Sequence, residues 1–392
     1  MTRFGAKTPF VAIACGCTGG HLFPGLAVAE QLTQRGCAVT LLISPKEVDQ
    51  QAVKSARGVD ILTLPAVGLQ NRNYFSFACS FVKSLFAARK IFSRRKPDAV
   101  LTMGGFTGAP PVWVGKDFGA KTFLHESNTI PGRANRLLAR FVDEAFVGFS
   151  EAAPRLHVRK VTPTGTPVRP QFQPREPGAC RAALGLDPRR PTVLVMGGSQ
   201  GASGINEIIL AALPLLADRV STWQWLHLTG VGHFEKVKQA YANRGLQAVV
   251  KPFLVEMDLA LAAATVAVSR AGASSLAEIA AMRLPSLLVP FPAAADNHQY
   301  HNARAFEATG AARLLEQKSA TPERVAAILR ELAENEATRA SMQAALTPWH
   351  APRAAEQIAS HILTTLGERF AFAPQDGGKI DVRSGMNLKV VA

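Results

Sequence analysis

The chain has 392 residues, 47% hydrophobic and 19% charged. That excludes a single small module and a disordered or collagen-like chain, and predicts about two to three domains able to bury a large core. Up to Pro170 there are 22 basic and 10 acidic residues, and after it 22 and 19, so +12 of the net +15 lies in the first part and predicts an anionic partner there.

Phe10 to Ala14 is a β-rich run, followed by a glycine turn (Gly16, Gly19, Gly20) and then apolar residues at helical spacing from Pro24 onward; Val39 to Ile43 closes a βαβ unit. Phe75 to Lys96 has apolar residues at near-helical spacing, with Lys83, Arg89, Lys90, Arg94, Arg95 and Lys96 between them. No acidic residue stands between Asp60 and Asp98. Part of this segment should pack on a sheet, and the rest is expected to meet anionic lipid through Phe75, Phe81, Lys83, Phe86, Arg89, Lys90, Arg94 and Lys96. Nucleic acid is not expected: no aromatic RNA-binding motif, zinc-finger spacing or basic tail is present.

Strands are expected at Ala99 to Thr102, Thr122 to Leu124 and Ala145 to Val147. Between the last two lies the polar cluster His125-Glu126-Ser127-Asn128, leading to Gly132, at a strand's carboxyl end where α/β proteins bind ligands. A Pro-rich stretch from Pro163 to Pro191 precedes a second start: a strand at Thr192 to Met196, a glycine turn at Gly197 to Ala202 and a helix at Ile205 to Leu216. Further strands are read at Ala248 to Val250, Val266 to Ser269 and Ser286 to Val289. Two such beginnings predict two doubly wound α/β domains facing across a cleft.

After the strand at Val266 to Ser269, Gly272 to Ser275 open a helix and Glu278 sits one turn in, an arrangement that can hold a diphosphate at the N–H groups and a ribose diol at the carboxylate. A first-turn acid favoured by the helix dipole would look the same. Asp296, His298 and Gln299 open another helix and can bond sugar hydroxyls or cap it. Neither glycine turn carries the GxGxxG spacing or the Lys-Ser/Thr of a P-loop, and Ile43-Ser44-Pro45 lacks the acid of a nicotinamide site. Five cysteines without a CxxC pair fit a reducing cytosol, and neither they nor any DxD carboxylate pair predicts a metal. Met1 to Thr8 is too short and polar for a signal peptide, and no apolar run reaches the roughly 18 to 20 residues that span a bilayer.

From about Val11 to Leu366 the ordered segments GCTGGHLFPGLAVAEQL, MGGFTGAPP, HESNTIPGRANRLLA, TGTPVR, GGSQGASGIN, SRAGASSLAEIAA and PFPAAADNHQYHNA resemble the MurG family, the membrane-associated N-acetylglucosaminyltransferases of peptidoglycan synthesis. The resemblance implies an α/β GT-B fold of two Rossmann-like domains: 9–168 facing acceptor and membrane, 169–347 binding UDP-GlcNAc, then a helix region at 348–366 and a mobile tail at 367–392. It implies inverting, cofactor-free transfer of GlcNAc from UDP-GlcNAc to the C4 hydroxyl of MurNAc in lipid I, giving lipid II and UDP, at the cytoplasmic face of a bacterial membrane. Other cell-wall synthesis proteins are further implied partners.

Matched position by position, Thr18, Gly19, Gly20, Asn128, Arg169, Ser199, Leu254, Ala273, Ser274, Ser275, Leu276, Ala277, Glu278 and Gln299 would contact the donor. Asn135, Gln200, Asn206, Arg270 and His298 are further candidates. His21 and Glu126 match catalytic or acceptor positions, and the match leaves open which is the base. Cys17, Phe106 and Thr166 depart from the usual Gly, Tyr and Asn. Two other readings stand beside this one: a transferase acting on another lipid, such as diacylglycerol, against which HESNTIPGRAN speaks, and a catalytically silent membrane scaffold, against which His21, Glu126 and Glu278 speak.

Overall fold

Short apolar runs buried on both faces build two parallel sheets, as expected where helices cover a sheet on either side. The computed structural model describes residues 8–16, 19–45, 58–65, 74–198, 201–219 and 222–367. Cys17, Thr18, Ser199, Gln200 and the expected tail beyond Gly367 lie outside the described residues.

The first sheet holds β1 (Phe10–Ala14), β2 (Ala38–Ile43), β3 (Asp60–Thr63), β4 (Ala99–Thr102), β5 (Lys121–Glu126), β6 (Glu144–Val147) and β7 (Val161–Pro163), in spatial order β3-β2-β1-β4-β5-β6-β7. The second holds β8 (Thr192–Met196), β9 (Gln224–Leu228), β10 (Ala248–Lys251), β11 (Val266–Ser269), β12 (Ser286–Leu288) and β13 (Arg313–Leu314), in order β10-β9-β8-β11-β12-β13. Val11 pairs with Val39 on one side and Ala99 on the other, and Val193 likewise with Trp225 and Val266. Each sheet therefore reverses its strand order beside its first strand, and the crevice at that switch point is where such sheets bind ligands.

The helices are α1 (Gly19–Gln34), α2 (Tyr74–Arg94), α3 (Ala109–Asp117), α4 (Arg133–Leu138), α5 (Pro177–Ala183), α6 (Ser203–Ala212), α7 (Phe234–Ala242), α8 (Met257–Ala263), α9 (Ala273–Met282), α10 (His298–Ala308), α11 (Pro322–Glu334), α12 (Glu336–Leu346) and α13 (Ala354–Leu366). Two boundaries differ from expectation. The helix expected to reach Leu216 ends at Ala212 and continues as a 3-10 turn, because Pro214 lacks the N–H an α-helix needs. The helix expected from Pro24 starts at Gly19, so Gly19, Gly20 and His21 form its first turn rather than a loop.

The helix region expected at 348–366 contains α13, which packs back on the first domain. Ile358, Ala359 and Ile362 return to the first domain and are buried with Val11, Ile13, Leu22 and Leu32. His361 Nδ1 and Lys160 Nζ both approach the buried Glu144 carboxylate, at 3.3 and 3.1 Å, which pins α13 to β6. Two crossings thus join the domains, one near Gly165 and one near Ala351. They touch: Gly165 has φ 79°, and a side chain there would overlap Ala351.

α2 carries two apolar stripes. Ala88 and Phe92 are buried, and Phe81 is half-buried with its ring edge-on to Trp113 at 5.4 Å, so Phe81 belongs to the inner stripe. Phe75 and Phe86 point outward, 81% and 70% exposed, with Val82 between them. Lys83, Arg89, Lys90, Arg94 and Lys96 are exposed around that outer stripe. The acid-free window is not free of acid in space: Asp117 of α3 lies 3.6 Å from Arg89.

Candidate active site

On the second-domain side, β11 ends at Ser269 and its loop delivers α9, whose N-terminus opens on the cleft at the switch point. Glu278 lies one turn in, 16% exposed, and Arg169 lies 4.0 Å from it, 18% exposed. Burial pushes the Glu278 carboxyl up to about 7; Arg169 opposes that shift and Asp258 adds to it. Arg169 is sandwiched by Phe23 of α1 and Phe172, with its guanidinium 4.2 and 4.9 Å from the ring centres, and burial lowers its pKa from the usual arginine range. An acid near neutrality and a clamped cation at a helix N-terminus suit the diol and diphosphate of a nucleotide sugar.

The first-domain side closes on the same helix. Pro24 has no N–H to donate to the Gly20 carbonyl, four residues earlier in α1. Ser274 Oγ donates to that carbonyl at 2.8 Å across the cleft. A proline inside a helix here leaves an acceptor for the other domain.

The polar cluster at the end of β5 is organised by Glu126, which is 2% exposed. Its Oε1 accepts from the backbone N–H and Nδ2 of Asn128, at 2.8 and 3.0 Å, and its Oε2 accepts from Gly132 N and Asn135 Nδ2, at 3.0 and 2.7 Å. Asn135 Oδ1 in turn accepts from Gly105 N at 3.1 Å. Gly105 has φ 80° and lies against the His21 ring: a side chain there would stand 3.4 Å from Cε1. His21, Gly105, Asn135 and Glu126 thus follow one another across the carboxyl ends of the first sheet. His125 is structural. Its Nε2 donates to Gly165 O at 3.1 Å, so its Nδ1 accepts from Ser127 Oγ, and burial lowers its pKa to about 4, keeping it neutral.

Other predicted residues divide by burial. Ala273 and Leu276 are buried in the second core, while Ser275 and Ala277 are half-buried on α9. Leu254 is buried between the exposed Phe253 and Val255. Gln299 Oε1 accepts from Ala271 N and Phe291 N, tying two cleft loops together. Arg270 donates to Val289 O, Pro290 O and Gln317 Oε1 and holds the same loops from beneath. Asn206 is turned inward, with His227 and Thr229 as partners. His298 bonds the Ala295 carbonyl at the start of α10. Phe106, where a Tyr is usual, is exposed and packs edge-on to Phe77 of α2 at 5.2 Å.

Sequence reasoning passed over Asn302 and Thr129, which join the domains, and Phe23, which stacks on Arg169. Asn302 stands three residues after Gln299, a spacing that puts both on one helical face. Arg133 and Arg136 reach Asp296 at 3.2 and 2.6 Å, a second polar link across the cleft.

Two Rossmann-like domains with a cleft built from the carboxyl ends of both sheets define a GT-B glycosyltransferase. Residues 11–147 match the N-terminal domain and residues 192–360 the C-terminal domain of glycosyltransferase family 28, and the chain belongs to that family. It is 36% identical over 352 residues to the UDP-N-acetylglucosamine--N-acetylmuramyl-(pentapeptide) pyrophosphoryl-undecaprenol N-acetylglucosamine transferase of Anaeromyxobacter sp. (strain Fw109-5), covering 88% of this chain and 91% of that one. The enzyme of the same name from Lactiplantibacillus plantarum is 34% identical, with 90% and 98% covered. The crystal structure of Acinetobacter baumannii MurG superposes with a TM-score of 0.70 at 26% identity, covering 91% of this chain and all of that one.

Proposed function

We propose that the chain transfers GlcNAc, with inversion, from UDP-GlcNAc to the C4 hydroxyl of MurNAc in lipid I, releasing UDP and lipid II. The observation that carries this is the facing of the Glu278–Arg169 pair at the start of α9 with the His21, Asn135 and Glu126 series across one cleft, in a chain whose named relatives carry that activity. In this reading the α9 N–H groups and Arg169 stabilise the departing diphosphate, and Glu278 accepts from the ribose hydroxyls.

The acceptor hydroxyl attacks the anomeric carbon as the bond to UDP breaks, and His21 takes the proton. His21 is favoured over Glu126 as the base because both carboxylate oxygens of Glu126 are already filled by amide donors, which suits a group that holds the 126–135 segment in place. Asn128, Gln299 and Leu254, with Thr18 and Ser199, complete the proposed donor contacts.

The outer stripe of α2, Phe75, Val82 and Phe86 ringed by cations, supports peripheral binding at the anionic cytoplasmic face of the membrane. Among the described residues no helix is long and apolar enough to cross a bilayer. Incubation with UDP-GlcNAc and a lipid I analogue tests the activity: UDP is expected only when both are present. UDP release with diacylglycerol in place of the analogue would assign a different acceptor, and none with either would return the chain to a binding role.

A further inference from the structure

Asn302 on α10 belongs to the second domain, yet it completes the hydrogen bonding of the first. No part of it is reached by solvent. Its Oδ1 accepts from Thr129 N at 2.9 Å and from Thr129 Oγ1 at 3.0 Å. Its Nδ2 donates to Asn128 Oδ1 at 3.0 Å and to Ala271 O at 3.1 Å.

This carboxamide therefore stands between the two halves of the site. Ala271, one of its partners, lies in the loop that opens α9, and Ala271 N donates to Gln299 Oε1. Asn128, its other partner, donates twice to Glu126, whose second oxygen leads through Asn135 to Gly105 and the ring of His21. With Nδ2 committed to Glu126 and Oδ1 to Asn302, the Asn128 amide is oriented from both domains at once. If the domains part, Thr129 N–H, Asn128 Oδ1 and Ala271 O all lose a partner together. Only a carboxamide of this length offers an acceptor to Thr129 and a donor to two oxygens side by side. An aspartate would set a carboxylate oxygen against Asn128 Oδ1 and the Ala271 carbonyl, and a leucine would offer neither group.

We propose that Asn302 is a positioning residue which transmits the seating of the second domain to the 126–135 segment, so that this segment takes its working geometry only when the domains are closed. The proposal rests on the transferase reading above. It does not require Asn302 to touch either substrate.

The test compares the parent with Asn302→Leu, branched alike but larger and unable to bond, and Asn302→Asp, measuring kcat with a lipid I analogue, donor affinity by calorimetry and amide hydrogen exchange. In Asn302→Leu, kcat should fall by about tenfold or more and by clearly more than donor affinity, since Asn302 bonds Asn128 but none of the donor contacts proposed at Ala273 to Glu278. Exchange at the amides of Asn128, Thr129 and Gly132 should speed up by about tenfold or more while β8 and β11 keep their protection. Asn302→Asp should turn over more slowly than Asn302→Leu; a residue that merely fills space would rank them the other way, because aspartate is the nearer match to asparagine in size and shape. Thr129→Val removes only the hydroxyl of the same contact and is read in the same way, with a smaller fall expected, should the Asn302 variants fail to fold. An Asn302→Leu chain that folds and turns over at the parent rate would overturn the proposal, as would unchanged exchange at the three amides. If the parent releases no UDP with the analogue, the transferase reading fails by itself, and the exchange measurement still decides whether Asn302 couples the domains.

Discussion

Glu278 has a carboxyl whose pKa of about 7 stands above the ordinary carboxylate value because burial disfavours its charge. Protonation then favours the folded chain: this group's contribution is complete below the unfolded carboxyl pKa and is lost as pH rises through about 7. If the ribose hydroxyls donate to the carboxylate, donor binding must expel that proton below about 7, and affinity should fall there by up to about tenfold per pH unit. Calorimetric heats at pH 6 should therefore change with the ionisation enthalpy of the buffer, and should stop doing so in Glu278→Ala, whose affinity should be weaker by about 1 to 3 kcal/mol. Equal heats in all buffers for the parent would remove Glu278 from the donor site. His21 is a different case. As a base acting in the transition state, its loss in His21→Ala should lower kcat by roughly 10²- to 10⁴-fold with little change in donor Kd; a raised Kd at unchanged kcat would make it a binding residue.

At the scale of elements, α2 and α13 each serve a neighbour that sequence periodicity does not name. α2 offers an inner stripe to the core and an outer one, Phe75, Val82 and Phe86, to the surroundings. Replacing Arg89, Lys90, Arg94 and Lys96 by Ser should release the chain from anionic vesicles, since each cation near such a surface contributes about 1 kcal/mol. Arg89 should contribute least because Asp117 already faces it. Donor binding should persist, and co-sedimentation equal to the parent at low and high salt would leave the stripe without a lipid role. α13 belongs in space to the first domain, with Ile362 fully buried there. Ile362→Ala should cost about 2 to 5 kcal/mol through the cavity it leaves. Thermal unfolding should show that loss even though the residue is remote in sequence from the strands it covers; an unchanged midpoint would mean that α13 is not part of the first domain's core.

The whole molecule is two sheets of the same topology joined by two crossings and by polar contacts over the cleft. The crossings pass so closely at Gly165 and Ala351 that only glycine fits, and the Gly165 carbonyl also receives His125. Gly165→Ala should thus cost at least about 1 to 2 kcal/mol, from its left-handed backbone alone. A lowered unfolding midpoint together with faster exchange in the 125–132 segment is expected, since a shift of the Gly165 backbone away from Ala351 also displaces the carbonyl that receives His125; a wild-type midpoint would show that the crossings can move apart freely.

Sequence alone determined the repeated strand, glycine turn and helix beginnings, since a strand buried on both faces must read as an apolar run and a close backbone turn must be built from small residues. It also determined which loops carry the polar clusters, because those lie at strand ends. It did not show β9, whose Gln224 and His227 interrupt the apolar pattern: both are buried only because Asp187, Arg190, Asn206 and Tyr241, distant along the chain, satisfy them. Nor did it show that Glu126 is filled by four donors, that Pro24 leaves the Gly20 carbonyl to Ser274, or that Asn302 crosses between domains. Local propensity is written in neighbouring residues. The partner of a buried polar group is set by which elements the tertiary fold brings together, and only that fold decided which motif residues face the cleft and which hold its walls.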